Sequence, residues 1–233
     1  MAPWLLLASA VVPALALLWY FYSRDANPEP RGVVLRTFFL GMVICAPVVP
    51  VAIELQKLGG TGGGPLGHAL REAFLGAAVP EELFKFAVLW LWVRRQPVHG
   101  LVYGATASLG FAALENALYV ASGGVGTALM RAVTAVPSHA LTGAIMGAFA
   151  GRAVFGPGRS PASPALGVAL VGLLAAIALH GAYDFVLMLD SGVWGLLALP
   201  ILWLEIHWAR RWIARLRAEQ AALAAVVPAQ PLT

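Results

Sequence analysis

The chain has 233 residues, of which 60% are hydrophobic and only 11% are charged, and its mean hydropathy is +0.81. Soluble domains carry roughly 25% charged residues, so this composition excludes a soluble protein and leaves no sequence for a separate soluble domain. The net charge of +4 does not indicate a nucleic-acid partner, because the basic residues lie in short segments between apolar runs and near the C-terminus, where membrane topology explains them.

The first predicted element is an apolar run over residues 3–22, which suffices to cross a bilayer because a membrane-spanning helix needs about 20 residues. A signal peptide would carry a basic segment before this run, whereas the first basic residue, Arg24, follows it. We therefore expect a retained first helix with its N-terminus outside. The second predicted span covers residues 33–55 and contains Cys45, the only cysteine, so the chain cannot form an internal disulfide or a cysteine-based metal site.

A glycine-rich loop over residues 59–65 ends the second span, because glycine and proline do not continue a helix. The loop lacks the Lys-Ser/Thr pair of nucleotide-binding loops, so it is interpreted as a flexible connection. Residues 67–79 are predicted to form a short helix at the membrane surface or leading into the third span. Pro80 then marks a kink or a new helix start.

The remaining chain contains five more apolar runs and a basic tail. The predicted third to seventh spans cover residues 81–93, 99–121, 127–153, 166–189 and 192–208. The predicted fold is therefore all-α, a polytopic membrane bundle of about seven transmembrane helices, and residues 1–233 are one membrane domain with a functional core at about 67–190. Residues 210–233 are predicted to be a cytoplasmic tail whose basic helix lies on the inner leaflet.

The basic residues predict the orientation of these spans. Those on one side are Arg24, Arg31, Arg36, Arg94, Arg95, Arg152, Arg159, Arg210, Arg211, Arg215 and Arg217. Lys57, Arg71 and Arg131 fall on the other side. Because cytoplasmic loops are enriched in Lys and Arg, the C-terminus is predicted to be cytoplasmic and the N-terminus outside.

Polar residues of four predicted spans lie at one depth, in the outer half of the bilayer. They are Glu81 and Glu82 of the third span, Glu115 and Asn116 of the fourth, His139 of the fifth, and His180 and Asp184 of the sixth. A charged side chain inside a membrane is costly unless it is paired or wetted, and such residues are functional-site candidates by default. Their common depth favours one shared site.

Helical spacing groups these residues further, because residues three or four apart share one helix face. Glu81 and Glu82 both reach Lys85 in this way, and Asp184 reaches His180, whose tautomer a carboxylate can fix. Phe111, Glu115 and Tyr119 form one stripe on the fourth span.

The fifth span carries a second kind of signal. His139 begins a ladder with Gly143, Gly147 and Gly151, a small-residue face that lets another helix approach closely. The ladder would carry His139 into the bundle.

The chemistry that suits this set is the activation of water. One of two adjacent carboxylates can act as general base or acid, while His139 and His180 either hold a zinc ion together with Glu82 or donate hydrogen bonds to an oxyanion without metal. The sequence does not choose between these mechanisms. Serine proteolysis is disfavoured because Ser138 and His139 are adjacent and point to different helix faces. Each of these polar residues, taken alone, could also have a purely structural role, either in helix packing or in an ion pair.

Four motifs together resemble the PrsW family of intramembrane proteases. They are Glu81-Glu82-x-x-Lys85, Phe111-x-x-x-Glu115-Asn116, His139 after Pro137, and His180-x-x-x-Asp184. The family belongs to a superfamily with the CAAX-processing and bacteriocin-processing membrane proteases. The match runs from about residue 80 to 185. Relative to that superfamily, Glu115 stands where a histidine is usual, and Lys85 is offset from the usual arginine, as in the PrsW branch.

The resemblance implies hydrolysis of a single-pass membrane protein, such as an anti-sigma factor, cut on the outer side as the first step of a regulated cascade. It implies catalytic roles for Glu81 and Glu82, binding of a metal or an oxyanion by His139 and His180, and orientation of His180 by Asp184. The expected location is the bacterial cell membrane. A proton-coupled transporter or channel is the alternative, since Glu and His chains also form proton relays, although the sequence lacks convincing internal repeats. A non-catalytic scaffold that binds helices through the glycine ladder is the third hypothesis.

Overall fold

The computed structural model describes residues 3–23, 28–60, 62–93, 100–156, 158, 160–189 and 192–226. These residues form helices and one isolated bridge between Ser160 and Ser163, which confirms the all-α prediction. The helices are α1 (Pro3–Ser23), α2 (Arg31–Val43), α3 (Cys45–Leu58), α4 (Gly64–Arg71), α5 (Val79–Val93), α6 (Gly100–Val133), α7 (Ala135–Phe155), α8 (Leu166–Met188), α9 (Gly192–Gly195) and α10 (Ala198–Val226). A π-helical segment, Glu72–Ala78, joins α4 to α5. Arg24, Arg94, Arg95 and Arg159, used above for orientation, lie outside the described residues.

Three helical stretches of the described chain are long and apolar enough to cross a membrane. They are Arg31–Leu58, Gly100–Phe155 and Leu166–Met188, and α1 adds a shorter apolar stretch, Leu7–Ser23. These stretches indicate a membrane protein. The count of seven spans and the orientation of the termini stay predictions.

The second predicted span is interrupted at Ile44, between α2 and α3. Pro47 explains the interruption, because proline has no N–H to donate to the carbonyl oxygen four residues earlier, at Val43. The apolar stretch nevertheless continues through both helices.

The boundary between the fourth and fifth predicted spans was wrong. The first of these helices, α6, runs on to Val133 and breaks within its length at Gly124, where φ is +69°, a backbone conformation that favours glycine. The next helix, α7, therefore begins at Ala135 and not at residue 127. Pro137 stands in its first turn, where a missing N–H costs no helical hydrogen bond.

The C-terminal region also differs from the prediction of a span followed by a separate tail helix. One continuous helix, α10, runs from Ala198 to Val226, after the short α9. Since residues 201–226 contain neither glycine nor proline, no residue interrupts the helix between the apolar and the basic part.

At several glycine residues, the central helix α6 packs closely against its neighbours. A side chain at Gly104 or Gly100 would overlap the backbone of Gly143 or Gly147 in α7, so the predicted glycine ladder is confirmed as a close helix contact. On another side of α6, a side chain at Gly110 would overlap the carbonyl of Phe38 in α2. These contacts bring α6 close to both α7 and α2.

Candidate active site

Four helices, α5 to α8, surround a cavity of about 180 Å³ that also borders the π-helical segment. Its polar and charged lining residues are Glu72, Glu81, Glu115, Tyr119, Arg131, Ser138, His139, His180, Tyr183 and Asp184. Such a volume has room for a few water molecules with several polar partners each. The cavity therefore provides what hydrolysis needs, a wetted place enclosed by helices.

Lys85 lies at the centre of the site and is fully buried. Its Nζ donates to Glu81 Oε2 at 3.0 Å and to Glu82 Oε1 at 2.8 Å, as the helical spacing predicts. It also lies 3.0 Å from His139 Nδ1 and 4.2 Å from the centre of the Phe111 ring. A buried ammonium group needs such partners, because an unpaired charge in an apolar environment is very costly.

His180 joins the two glutamates to α8. Its Nδ1 donates to Glu82 Oε1 at 2.9 Å, and its Nε2 lies 3.2 Å from Asp184 Oδ2 and 3.8 Å from Glu81 Oε2. The expected pair of His180 with Asp184 is thus present. Both glutamates of α5 also lie within reach of the same ring.

His139 has a different set of partners. Lys85 donates to its Nδ1, so the ring proton belongs on Nε2, which lies 2.9 Å from Glu115 Oε2. The ring meets the His180 ring edge-on, with the two centres 4.9 Å apart. Both ring nitrogens of His139 therefore have partners, and its Nε2–H is a donor at the cavity.

Arg131 is a site residue that the sequence analysis did not identify. Its Nη2 donates to Glu115 Oε2 at 2.6 Å, and its Nε donates to Asn116 Oδ1 at 3.0 Å. The central carbon of the guanidinium group also lies over the Tyr119 ring, 4.0 Å from the ring centre. Asn116 in turn donates to the backbone oxygen of Ala10 at 3.1 Å, which ties α1 to the site. From the sequence, Arg131 was identified only as a basic residue on the predicted outer side of the membrane.

Glu205 is a second residue that sequence reasoning missed. It is fully buried on α10, and its Oε1 accepts a hydrogen bond from Ser138 Oγ at 2.9 Å. Its Oε2 has no hydrogen-bond partner among the described residues. The signal was present, since Glu205 is a carboxylate inside the predicted seventh span. The Ser138 hydroxyl thus donates to Glu205 and forms no hydrogen bond with the His139 ring among the described residues, which agrees with the expectation against serine proteolysis.

Three of these residues could hold a metal ion together. One ligand atom each from Glu81, His139 and His180 lies within 4.8 Å of the others. Two imidazoles and a carboxylate form a donor set that suits Zn²⁺. The sequence-based prediction had Glu82 as the carboxylate ligand of the metal, whereas the structure offers Glu81. Glu82 is fully buried behind the cavity and is bonded to Lys85 and His180.

The hydrogen bonds of His139 do not fit a metal ligand. A ligating imidazole must offer a lone pair on one nitrogen, but Lys85 occupies Nδ1 and the proton on Nε2 faces Glu115. Metal binding through His139 would require the loss of one of these contacts. The donor types and their separation fit zinc, whereas the bonded state of His139 does not.

The structure brings together every residue that the sequence placed at the site: Glu81, Glu82, Lys85, Glu115, Asn116, His139, His180 and Asp184. Of the glutamate pair, Glu81 lines the cavity and Glu82 does not. The two glutamates are therefore unequal, a distinction that the sequence left open.

Comparisons with known proteins agree on one relationship. The family described as "PrsW family intramembrane metalloprotease" matches residues 29–208. The chain is 37% identical to "Protease PrsW" of Bacillus subtilis (strain 168) over 188 residues, which cover 78% of this chain and 82% of the relative. It is 36% identical to "Protease PrsW" of Geobacillus kaustophilus (strain HTA426) over 210 residues, 88% of each chain. No solved structure matches the chain.

Proposed function

The chain belongs to the PrsW family and is an intramembrane protease, a peptide hydrolase, and from this premise we propose that it cuts a single-pass membrane protein in the outer half of the bilayer, with Glu81 activating the water. The observation that carries the proposal is the small polar cavity, where Glu81 and two histidines meet among four helices. An anti-sigma factor is the proposed kind of substrate, and seven spans with the N-terminus outside are the proposed topology.

Glu81 is the proposed general base. Glu81 lines the cavity and is 7% exposed, whereas Glu82 is fully buried. The lysine bound to both, Lys85, offsets one of the two negative charges of the pair and holds the Glu81 carboxylate at 3.0 Å. Glu81 takes a proton from water as the water oxygen attacks the carbonyl carbon of the substrate, and the same proton then goes to the leaving amide nitrogen as the C–N bond breaks.

The histidines are the proposed donors for the oxyanion that forms on the carbonyl oxygen. Lys85 at Nδ1 leaves His139 with its proton on Nε2, which donates to Glu115 Oε2 and turns to the oxyanion when the substrate is bound. Glu82 accepts from Nδ1 of His180, so the protonated His180 ring offers its Nε2–H to the same cavity. Two such donors stabilise the charge that develops on the oxygen. Because His139 does not fit a metal ligand in this bonded state, no step is assigned to zinc.

The test is cleavage in liposomes that contain the purified protein together with single-pass membrane proteins of the same cell membrane. New protein termini, read by mass spectrometry, are expected with the wild type and not with His180→Ala. The matched control is His207→Ala, at a histidine that stacks on Trp203 away from the cavity. Identical termini from the wild type and His180→Ala would refute the proposal, and so would their absence from both.

A transporter using the same polar groups is the other candidate. Glu81, His139 and His180 lie close enough together for a relay, but they line a small cavity and the family relationship is to proteases. Proton flux through wild-type liposomes, in the absence of any cleavage, would favour it.

A further inference from the structure

A second cavity, of about 800 Å³, lies between α1, α7 and α10. It is called the lateral groove here, and its main lining residues are Leu17, Phe21, Pro137, Leu141, Ile206 and Ile213. Both α1 and α10 pack on α7, and the groove fills the space between them. Its apolar walls suit an occupant that comes from the bilayer.

The groove and the site cavity share a wall. Pro137 lines the groove, while the next residue, Ser138, lines the site cavity. On α10, Glu205 accepts the hydrogen bond of Ser138 and the next residue, Ile206, lines the groove. One end of the groove therefore lies at the depth of the site, separated from it by the first turn of α7.

The groove runs from this end towards the basic part of α10. Eight residues separate Ile206 from Ala214, a distance of about 12 Å along the helix. Of the described lining residues, only Arg210 is charged, and it lies midway between Ile206 and Ala214, about one turn of α10 beyond the end at the site. The part next to the site is uncharged. Ala140, Ala209 and Ala214 also line the groove, and such small residues let the backbone of another helix approach.

Two occupants suit these walls, a phospholipid and a transmembrane helix. A phospholipid would place its charged headgroup at Arg210 and would have no relation to the site. The continuity at Pro137 and Ser138 favours a helix, because a peptide that leaves the groove at this end meets the site after passing one turn of α7. A membrane-embedded peptide hydrolase also needs a place where the apolar part of its substrate stays while the cut is made.

We propose that the lateral groove is the docking surface for the transmembrane helix of the substrate, whose outer end passes the first turn of α7 into the site cavity. This inference rests on the proposed function. The bond between Ser138 and Glu205 is part of the wall that the substrate passes, which gives a role to a buried carboxylate that the reaction does not use.

The first test is photocrosslinking, which does not need cleavage. An aliphatic diazirine side chain is placed at Ile206 in the groove, 38% exposed, and the control carries it at Leu174 of α8, 63% exposed to the bilayer. The probe is a synthetic single-pass peptide with a Leu/Ala helix of about 20 residues. Crosslinking at Ile206 is expected to exceed that at Leu174 about tenfold, the factor that corresponds to one favourable helix contact of about 1.4 kcal/mol. Equal crosslinking at both positions, as with a groove that takes only lipid, overturns the inference.

The second test compares two forms of one substrate found by the cleavage assay, the single-pass protein and a short peptide with the cut site but no transmembrane helix. Ile213→Trp, which fills the groove, is expected to lower the ratio of single-pass to short-peptide cleavage about tenfold, while Leu174→Trp leaves the ratio unchanged. An unchanged ratio in Ile213→Trp overturns the inference. If the cleavage assay finds no substrate, the proposed function fails, and the crosslinking still decides the role of the groove.

Discussion

At the scale of single residues, Lys85 separates the roles of two neighbouring glutamates. It bonds both, but Glu82 has a second bond to His180 and no contact with the cavity, while Glu81 faces the cavity. Glu82 is thus suited to hold Lys85 and His180 in place. Glu81 is suited to meet water.

Arg131 is predicted to position Glu115 and, through it, His139. Replacement by alanine removes the 2.6 Å contact with Glu115, and we expect kcat to fall about 100-fold with little change in KM, since small displacements of a catalytic group have effects of this size. Arg131→Lys, which keeps the charge, should restore part of the rate. Steady-state kinetics checks this, with Lys57→Ala as control because Lys57 is exposed and paired only locally with Glu54. A rise in KM alone would contradict the positioning role.

The bonds of His139 predict how metal removal affects the reaction. Because Lys85 and Glu115 occupy its two nitrogens, activity is expected to persist after strong chelation, in protein whose metal content is below one ion per chain. Elemental analysis and cleavage are measured on the same sample. Loss of activity that zinc restores would show that His139 gives up one of these contacts to bind the metal.

The sequence predicted eight site residues because each obeys a local rule, a helical spacing or a polar group in an apolar run. Arg131 was not identified as a site residue, because the predicted topology already accounted for it as a basic residue on the outer side. Glu205 was overlooked although it is a carboxylate in an apolar run; its contact with Ser138, 67 residues away, was not predictable because no spacing rule connects the two residues. Which of Glu81 and Glu82 is more deeply buried likewise depends on contacts with other helices, which spacing in the sequence does not reveal.

At the scale of helices, the contact between α6 and α7 sets the distance between Glu115 and His139. A side chain at Gly143 would overlap Ser108 and the backbone of Gly104. The glycine ladder of α7 was predictable from its spacing of four residues, but the glycines of α6 that it contacts were not. The helix boundaries at Gly124 and Ala135 were missed because the apolar run continues across them, while the glycine conformation and Pro137 determine where the helices break.

Gly143→Val is therefore predicted to destabilise the protein by about 1–3 kcal/mol, the usual cost of an overfilled interior. Thermal unfolding in detergent measures this change. The control is Gly167→Val in α8, where a side chain would meet nothing within 4 Å. Equal stability of the two variants would show that the close contact of α6 and α7 does not matter.

At the scale of the whole molecule, the sequence predicted a membrane bundle and a shared depth for the polar residues. It did not predict which helices are neighbours, because neighbourhood depends on packing between residues far apart in the chain. The structure places α6 in the centre, in contact with α1, α2 and α7, and leaves the lateral groove between α1 and α10.

The proposed topology can be tested by labelling. In a Cys45→Ser background, a cysteine at Gly62 is expected to react with a membrane-impermeant maleimide in intact cells, whereas a cysteine at Ser163 reacts only after lysis. The expectation follows from the excess of basic residues on the side of residue 163. The reverse pattern would contradict the orientation and place the site in the inner half of the bilayer.

The measurement that tests the central claim most directly is the single-turnover rate of cleavage of one substrate bond by wild type, Glu81→Gln and Glu82→Gln, with thermal unfolding recorded for each. We predict that Glu81→Gln lowers the rate about 1000-fold because the general base is lost, while the unfolding temperature falls less than in Glu82→Gln, because Glu82 still pairs with Lys85 and the amide oxygen of Gln can accept the other hydrogen bond. Glu82→Gln is predicted to lower both the rate and the stability, since it weakens the bonds to Lys85 and His180. Cleavage by Glu81→Gln at the wild-type rate would contradict the assignment of Glu81 as the group that activates water.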